Sequence, residues 1–442
     1  MLTRSYRLSL HPPLEKFRSE LEFACRFIEQ CHPVIRSDPA SSIIVHYGPE
    51  PPADAIHIPN AVFPDGVIID DNGIHPNFEY LQRLEVGAAS SSIFPPAADG
   101  DDQPNSALGY DALGLIFLML SRLEERGNEA NQQDRYNRFP FEGSLQSRRG
   151  SLETPYADVA AKHIAGAILG TAMPESLTRY NVVLTHDVDR LRGFHSVEHL
   201  VKNAIGDVIF RKDIKAAAVR LWYASAAGEP WKACRYVMAN AERYGFISRF
   251  NFMGPTENNM DNSYAIQRPG TLRRLAKEIV ARGHRIGFHP GVDTATDQTE
   301  WERQRAGLEK IIEMEVDEGR QHALMFQIDK TWDIWDRAGM KNEMTLGYPA
   351  PSGFRSGTTR SHPIYSLKQR RTLSLHSYPT AIMDFGFFDG KYRDLSLSAA
   401  LEECQRIINV CKAWNGDLVV LFHPAQLTRL RRQFFEQLLE RL

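Results

Sequence analysis

From Leu14 onward the apolar residues Phe17, Leu21, Cys25 and Ile28 recur at the spacing of one helical face, and the run SIIVHYG that follows reads as a strand. After strand-like VIID and the turn DDNG, the segment from Ala88 to Asn105 is rich in Ser, Pro, Asp and Ala, which marks a long exposed loop. Asp111 is placed to cap an apolar helix running to Glu125, and the polar stretch from Gly127 to Arg138 reads as another surface loop. The chain turns polar again over Thr171–Thr178, around Pro174, just before the β-prone run Asn181–Thr185, so a domain boundary is expected there. Residues 1–175 then form a smaller N-terminal α/β domain, and residues 176–442 a second, larger one.

In that second part, short apolar strands alternate with helical patterns. RFNFM is followed by a helix carrying Leu272, Leu275, Ala276 and Ile279, then by RIGFH, then by a helix with Trp301, Leu308 and Ile312. Such alternation means βαβ units and a parallel sheet or barrel. The last repetition is the clearest: a helix from about Ser398 to Ala413, Gly416 as a stop, the strand LVVLFH, and Pro424 opening a terminal helix with Leu427, Leu430, Phe434, Leu438 and Leu442 on its buried face. No sequence repeat of constant period accompanies this recurrence.

Length and composition narrow the function classes. A chain of 442 residues exceeds what one core usually organises, in keeping with two domains, and 43% hydrophobic with 24% charged residues is ordinary globular usage. The formal net charge of -3 gives no electrostatic ground for a nucleic-acid partner. The N-terminus has no apolar region of secretory type, and the longest strongly apolar stretch, Leu113–Leu120, is eight residues, short of a transmembrane span. Five cysteines (Cys25, Cys31, Cys234, Cys404, Cys411) form no Cys-x-x-Cys pair and suit free thiols, so a cytoplasmic location is expected; Cys404 and Cys411 read as core filling.

The sharpest local signal is VVLTHDVD, where an apolar strand runs straight into two carboxylates. Residues two apart in a strand share a face, so Asp187 and Asp189 point the same way, a costly arrangement unless a cation or a shared proton offsets their repulsion. An isolated Asp-x-Asp is as readily a solvated strand end as a site. Two more strands, however, end in histidine followed by proline: RIGFHP gives His289 and LVVLFHP gives His423. Three strand ends carrying Asp, His and His form a stronger pattern than any one of them.

These residues resemble a family. THDVD, then GHRIGFHPGVD, then GFRSGT and LVVLFHP, in that order over about residues 181–442, are similar to the polysaccharide deacetylases with a NodB-type homology domain, of the carbohydrate esterase 4 kind. RQHALMF and TLGYPAPSGFRSGT, with YDALGLIFLMLSRLEER and DRYNRFPFEGSL upstream, resemble stretches of a bacterial subgroup that carries an extra N-terminal domain. The resemblance implies a deformed (β/α) barrel. It implies Asp187 as catalytic base, Asp189 and His289 as metal ligands, His423 as general acid and Arg355 as the arginine that orients the base. It further implies a divalent metal, zinc first with Mn or Co as alternatives, and an N-acetylated glycan or polysaccharide precursor as substrate. Thr185 and His186 would shape the strand end. The family's second motif usually places another histidine four residues after the first, where this chain has Asp293. Aspartate is an acceptable oxygen ligand, so Asp293 is the expected third ligand, with helix capping as its other role.

A metal would lower the pKa of a water and polarise the acetyl oxygen, Asp187 would take a proton, and His423 would give one to the departing amine. A nucleotide-sugar glycosyltransferase or an aspartyl phosphoryl-transfer enzyme would also use Asp-x-Asp. No glycine-rich phosphate loop is present, though, and Arg190-Leu191 follows where small residues would be needed. The more serious rival is a barrel that lost its second histidine and binds glycan without hydrolysis. Met253 and the FGFFDG aromatics read as core or cleft wall, and Tyr264 or Trp332 as possible sugar-stacking rings. Arg370-Arg371 reads as solvent-facing, and Arg429, Arg431, Arg432 and Arg441 as a charged outer helix face.

Overall fold

The computed structural model describes residues 3–81, 93–95, 108–126, 134, 136, 138–170, 179–191, 197–209, 214, 217–218, 221, 230–258 and 260–442. The boundary expected over 171–178 lies outside the described residues, as does most of the loops expected over 88–105 and 127–138.

The N-terminal part is built on four short parallel strands, β1 (Arg4–Leu10), β2 (Ile35–Ser37), β3 (Ile44–Tyr47) and β4 (Ile56–Ile58), in the order β2-β1-β3-β4. The helix Arg18–Cys31 links β1 to β2 and buries Leu21, Cys25 and Ile28 of the periodic set that forecast it, with Ala24 beside them. The DDNG turn closes an antiparallel hairpin of β5 (Val67–Asp70) and β6 (Gly73–Pro76). Gly73 takes φ +104, a conformation side chains rarely adopt, and a Cβ there would run into the carbonyl of Leu367. Asp111 caps the helix Ala112–Ser121 at the amide of Gly114, 2.7 Å away. Every residue of that helix is buried, because it lies between the helices Arg18–Cys31 and Tyr156–Leu169 and also meets the second sheet.

The second sheet has nine strands: β7 (Asn181–Val188), β8 (Ser248–Phe252), β9 (Arg285–Phe288), β10 (Glu318–Gly319), β11 (Asn342–Glu343), β12 (His362–Ser366), β13 (Arg371–Ser377), β14 (Thr380–Met383) and β15 (Asp417–Leu421). Their order is β12-β13-β11-β10-β9-β8-β7-β15-β14, with all neighbours parallel except β12 and β13. The sheet curls. The amide of Thr380 in β14 donates to Leu346 O (2.6 Å), just after β11, so one edge returns to meet the strand six places away in the order. Curling gathers the C-terminal ends of β7, β9, β10, β14 and β15 around one mouth, where α/β folds place their sites.

The two sheets share one hydrophobic core. Phe117 packs edge-on against Tyr365 of β12 (5.2 Å), and the Tyr365 hydroxyl donates to the buried Glu20 (2.6 Å). Arg370 also binds Glu20, at 3.0 Å, so it ties the two parts together and does not simply face solvent. A buried ionic cluster also links the two parts: Glu125 accepts from Arg122 (2.8 Å) and from Nε and Nη2 of Arg355 (2.9 and 2.7 Å). All five cysteines are buried free thiols. Among the described residues no helix is long and apolar enough to cross a membrane.

The C-terminal helix departs from expectation. Pro424 opens only a single 3-10 turn, and the helix proper, Arg429–Leu439, starts afresh from a Thr428 cap. The break rotates the buried face to Arg431, Phe434, Phe435, Leu438 and Leu439, leaving Leu430 40% exposed and turning Arg431 inward. Tyr264 and Trp332 are 2% and 1% exposed, packed inside the fold and unable to stack on a sugar.

Candidate active site

Strand β7, flanked by β8 and β15, delivers Asp187 at its end and Asp189 just beyond. Its alternate residue His186 faces the other way, giving its ring nitrogens to Phe422 O (2.9 Å) and Ser248 Oγ (3.1 Å). Burial pushes its pKa down to about 3, so it stays neutral and structural.

Asp187 is 2% exposed and fully engaged on one oxygen: Oδ1 accepts from Asn251 Nδ2 and from Arg320 Nη1, each at 2.8 Å. Burial alone would raise its pKa, but the Arg320 guanidinium, with His289 and His423, outweighs that and holds it below the usual carboxylate range. Arg320 is itself locked, donating Nε to Met344 O (2.9 Å) and Nη2 to Thr185 Oγ1 (2.9 Å) and Thr380 Oγ1 (3.0 Å). Arg355, the expected orienting arginine, is instead committed to Glu125 and to Gly347 O. The arginine on Asp187 comes from β10's end, one residue after Gly319.

Asp189, His289 and His322 place one ligand atom each within 4.8 Å of one another. His289 gives Nδ1–H to Arg320 O (2.6 Å), and His322 directs Nδ1 at Asp261 Oδ1 (2.5 Å). With each Nδ1 occupied by an outer partner, Nε2 is the atom left for the site, the usual arrangement of metal-ligating histidines. His289 Nε2 lies 3.3 Å from Asp189 Oδ1, yet both atoms are buried without a hydrogen-bond partner. Two unsatisfied buried atoms facing each other are costly unless a cation lies between them. Asp187 and Asp189 favour positive charge there, raising the His289 pKa although burial opposes it. An Asp-His-His donor set suits zinc. Asp293 stands outside this group: it is exposed on a 3-10 turn and accepts from Asn258. Gly291 has a clear part, since a Cβ there would collide with the Asp261 carboxylate that holds His322.

The loop bearing His322 is strained. Ala323 and Leu324, which follow it, take φ +56 and +54, left-handed values that cost side-chain-bearing residues roughly 1–3 kcal/mol each. The His322 amide donates to Pro290 O (3.0 Å), tying this loop to the segment directly after His289.

Across the mouth, His423 follows β15. Its Nδ1 meets Asp384 Oδ1 (2.6 Å), and Asp384 Oδ2 accepts from Arg431 Nη1 (2.8 Å). The imidazole stacks on Phe385, with centroids 3.8 Å apart and planes at 4°. Burial pulls its pKa down, but Asp384 first, then Asp189 and Asp187, overcome this and raise it above the ordinary value. Between the metal-type group and His423 lies a cavity of about 280 Å³, rimmed by Tyr136 and Arg138 of the N-terminal part and by Arg190, Asn262, Lys391 and Tyr392.

Sequence reasoning named Asp187, Asp189, His289 and His423, and the structure brings all four to this cavity. Arg320, His322, Asn251, Asp261, Asp384 and Arg431 were missed. RQHALMF, singled out above only as a resemblance, contains the first two.

The sequence profile of a family of unknown function (DUF7033) matches residues 16–172, ending before β7. No curated protein sequence matches the chain. Among solved structures, a candidate polysaccharide deacetylase from Mycobacterium smegmatis is similar at 14% identity and a TM-score of 0.40, covering 60% of this chain and 83% of its own. A family 4 carbohydrate esterase from Streptomyces lividans, solved with acetate, is similar at 11% identity and a TM-score of 0.31, over 60% and 89%. A CE4 family pseudoenzyme from Bacillus anthracis is similar at 10% identity and a TM-score of 0.30, over 62% and 65%.

Proposed function

We propose that the protein is a metal-dependent hydrolase that removes N-acetyl groups from a sugar residue of a polysaccharide or glycan intermediate. The observation that carries this reading is the convergence on one cavity of an ionised, immobilised carboxylate, an Asp-His-His donor set and a histidine biased toward its protonated form. Amide hydrolysis needs all three functions.

Asp189, His289 and His322 would hold the metal, which when bound acts as a Lewis acid on the acetyl oxygen. Asp187 removes the proton of the attacking water. Its Oδ1 is occupied by Asn251 and Arg320, so Oδ2 is the oxygen free to take that proton. His423, kept protonated by Asp384, donates to the departing amine, a contribution typically worth about 100- to 10,000-fold. Arg431 holds Asp384 in place through its second oxygen, and Phe385 fixes the ring plane. The products are acetate and a free amino sugar.

The rival reading, a barrel that binds glycan without hydrolysis, drew its force from Asp293 standing where a histidine is usual. His322 beside Asp189 and His289 offers another third donor, which supports the hydrolase reading over that rival. Comparing wild type with Asp187→Asn on an N-acetylated oligosaccharide separates the two. A hydrolase loses free-amine formation in the variant while retaining ligand affinity. A binding protein forms no amine in either form, and its glycan affinity is indifferent to chelator.

A further inference from the structure

Among the described residues, the N-terminal part reaches the cavity through Tyr136 and Arg138. We propose that Arg138 is a positioning residue of the metal centre: it props the left-handed turn that presents His322, so the N-terminal part completes the site and is more than a neighbour to it. This rests on the metal-dependent reading above.

The turn needs support, because Ala323 and Leu324 are consecutive non-glycine residues at positive φ directly after His322. Arg138 Nη1 donates to the carbonyl of Ala323 at 2.7 Å. The guanidinium is pre-set for this contact. Nε and Nη2 both bind Asp134 Oδ2, at 2.8 and 2.6 Å, while Asp134 Oδ1 accepts from the amides of Tyr136 (2.8 Å) and Arg138 (3.1 Å). The guanidinium also lies over the Tyr136 ring, 4.7 Å from its centroid. Arg138 Nη2 also donates to the Tyr392 hydroxyl at 3.2 Å, in the same segment as Phe385, which stacks on His423. A 3% exposed arginine thus spans from the wall that carries the metal donors to the wall that carries the acid. On its other sides His322 is held by Pro290 O and Asp261; Arg138 supplies the support on the side of the strained turn.

The test is zinc affinity of the full chain, measured by competition with a chromophoric chelator, with the far-ultraviolet circular dichroism of each variant as the check on folding. Arg138→Ala and Arg138→Lys should bind zinc about 10- to 100-fold more weakly than wild type, the scale of losing an outer-sphere partner. Lysine keeps the charge but cannot hold Asp134 and Ala323 together. Asp134→Asn should weaken binding in the same direction by less. Glu153→Gln removes another link from the N-terminal part, its ion pair with Arg406 (3.0 Å), far from the cavity lining, and should leave zinc affinity unchanged. Should Arg138→Ala fail to fold, Arg138→Lys and Asp134→Asn decide. Folded variants that bind zinc within about twofold of wild type overturn the proposal, as does an equal loss in Glu153→Gln. A wild-type protein that binds no zinc overturns the metal-dependent reading as well.

Discussion

Asp384 holds His423 through a 2.6 Å hydrogen bond to Nδ1, which leaves Nε2 to face the cavity and makes the carboxylate the chief source of the ring's retained proton. Asp384→Asn should therefore lower kcat and move the alkaline limb of the pH profile to lower pH. The sign follows from the pKa. His423 is raised in wild type, so the acid form persists above the ordinary imidazole range and activity falls as pH rises through that raised value. Without the carboxylate the same loss comes earlier. A pH-rate profile of wild type and variant decides it; an unmoved alkaline limb would mean that His423 is not the acid.

His322 and Asp293 give opposite expectations. His322→Ala should weaken zinc binding by more than the about 10- to 100-fold cost of losing an outer-sphere partner. Asp293→Ala should leave it unchanged, because that carboxylate is exposed and paired with Asn258. Calorimetric titration of metal-stripped protein measures both; a reversed order would restore Asp293 as the ligand.

The two arginines are likewise separable. Arg320→Gln takes the cation from Asp187 and should cut kcat by about 10- to 100-fold, on the scale of lost orienting partners. It should also raise the pH at which the acid limb begins, since Arg320 is the leading influence that keeps Asp187 ionised against burial. Arg355→Met leaves the buried Glu125 short of a partner and should cost about 3–5 kcal/mol of stability, read as a lower urea midpoint. The kcat of its folded fraction should stay near wild type.

Gly291→Ala tests the outer sphere from the opposite side. A Cβ there meets the Asp261 carboxylate, so Asp261 must move off His322. Zinc affinity should fall by about 10- to 100-fold with little change in glycan affinity measured without metal. Unchanged zinc binding would show that Asp261 does not orient the ligand.

The strand-end residues were legible because β7, β9 and β15 carry apolar segments that stop at an acid or at His-Pro, so chemistry and local structure announce each other. Arg320 and His322 follow β10, which is only two residues long and leaves no periodic trace in the sequence. Arg431 was hidden for another reason. Extrapolating one helix from Pro424 put it on the outer face, whereas the restart at Thr428 turns it inward to Asp384. Asp384 is a lone acid between the apolar AIM and FGFF, and only the return of β14 to β15 brings it to His423. The Arg355 assignment came from resemblance alone, and the three-dimensional position of Glu125 explains why that arginine is occupied elsewhere.

The most direct measurement is acetate release from an N-acetylated oligosaccharide by chelator-stripped protein titrated with zinc. The account predicts no acetate from the stripped protein, release that rises to a plateau as a single zinc site per chain fills, and none from Asp187→Asn at any zinc concentration. Full activity in the stripped protein, or a zinc-loaded protein that releases no acetate from any glycan offered, would contradict it.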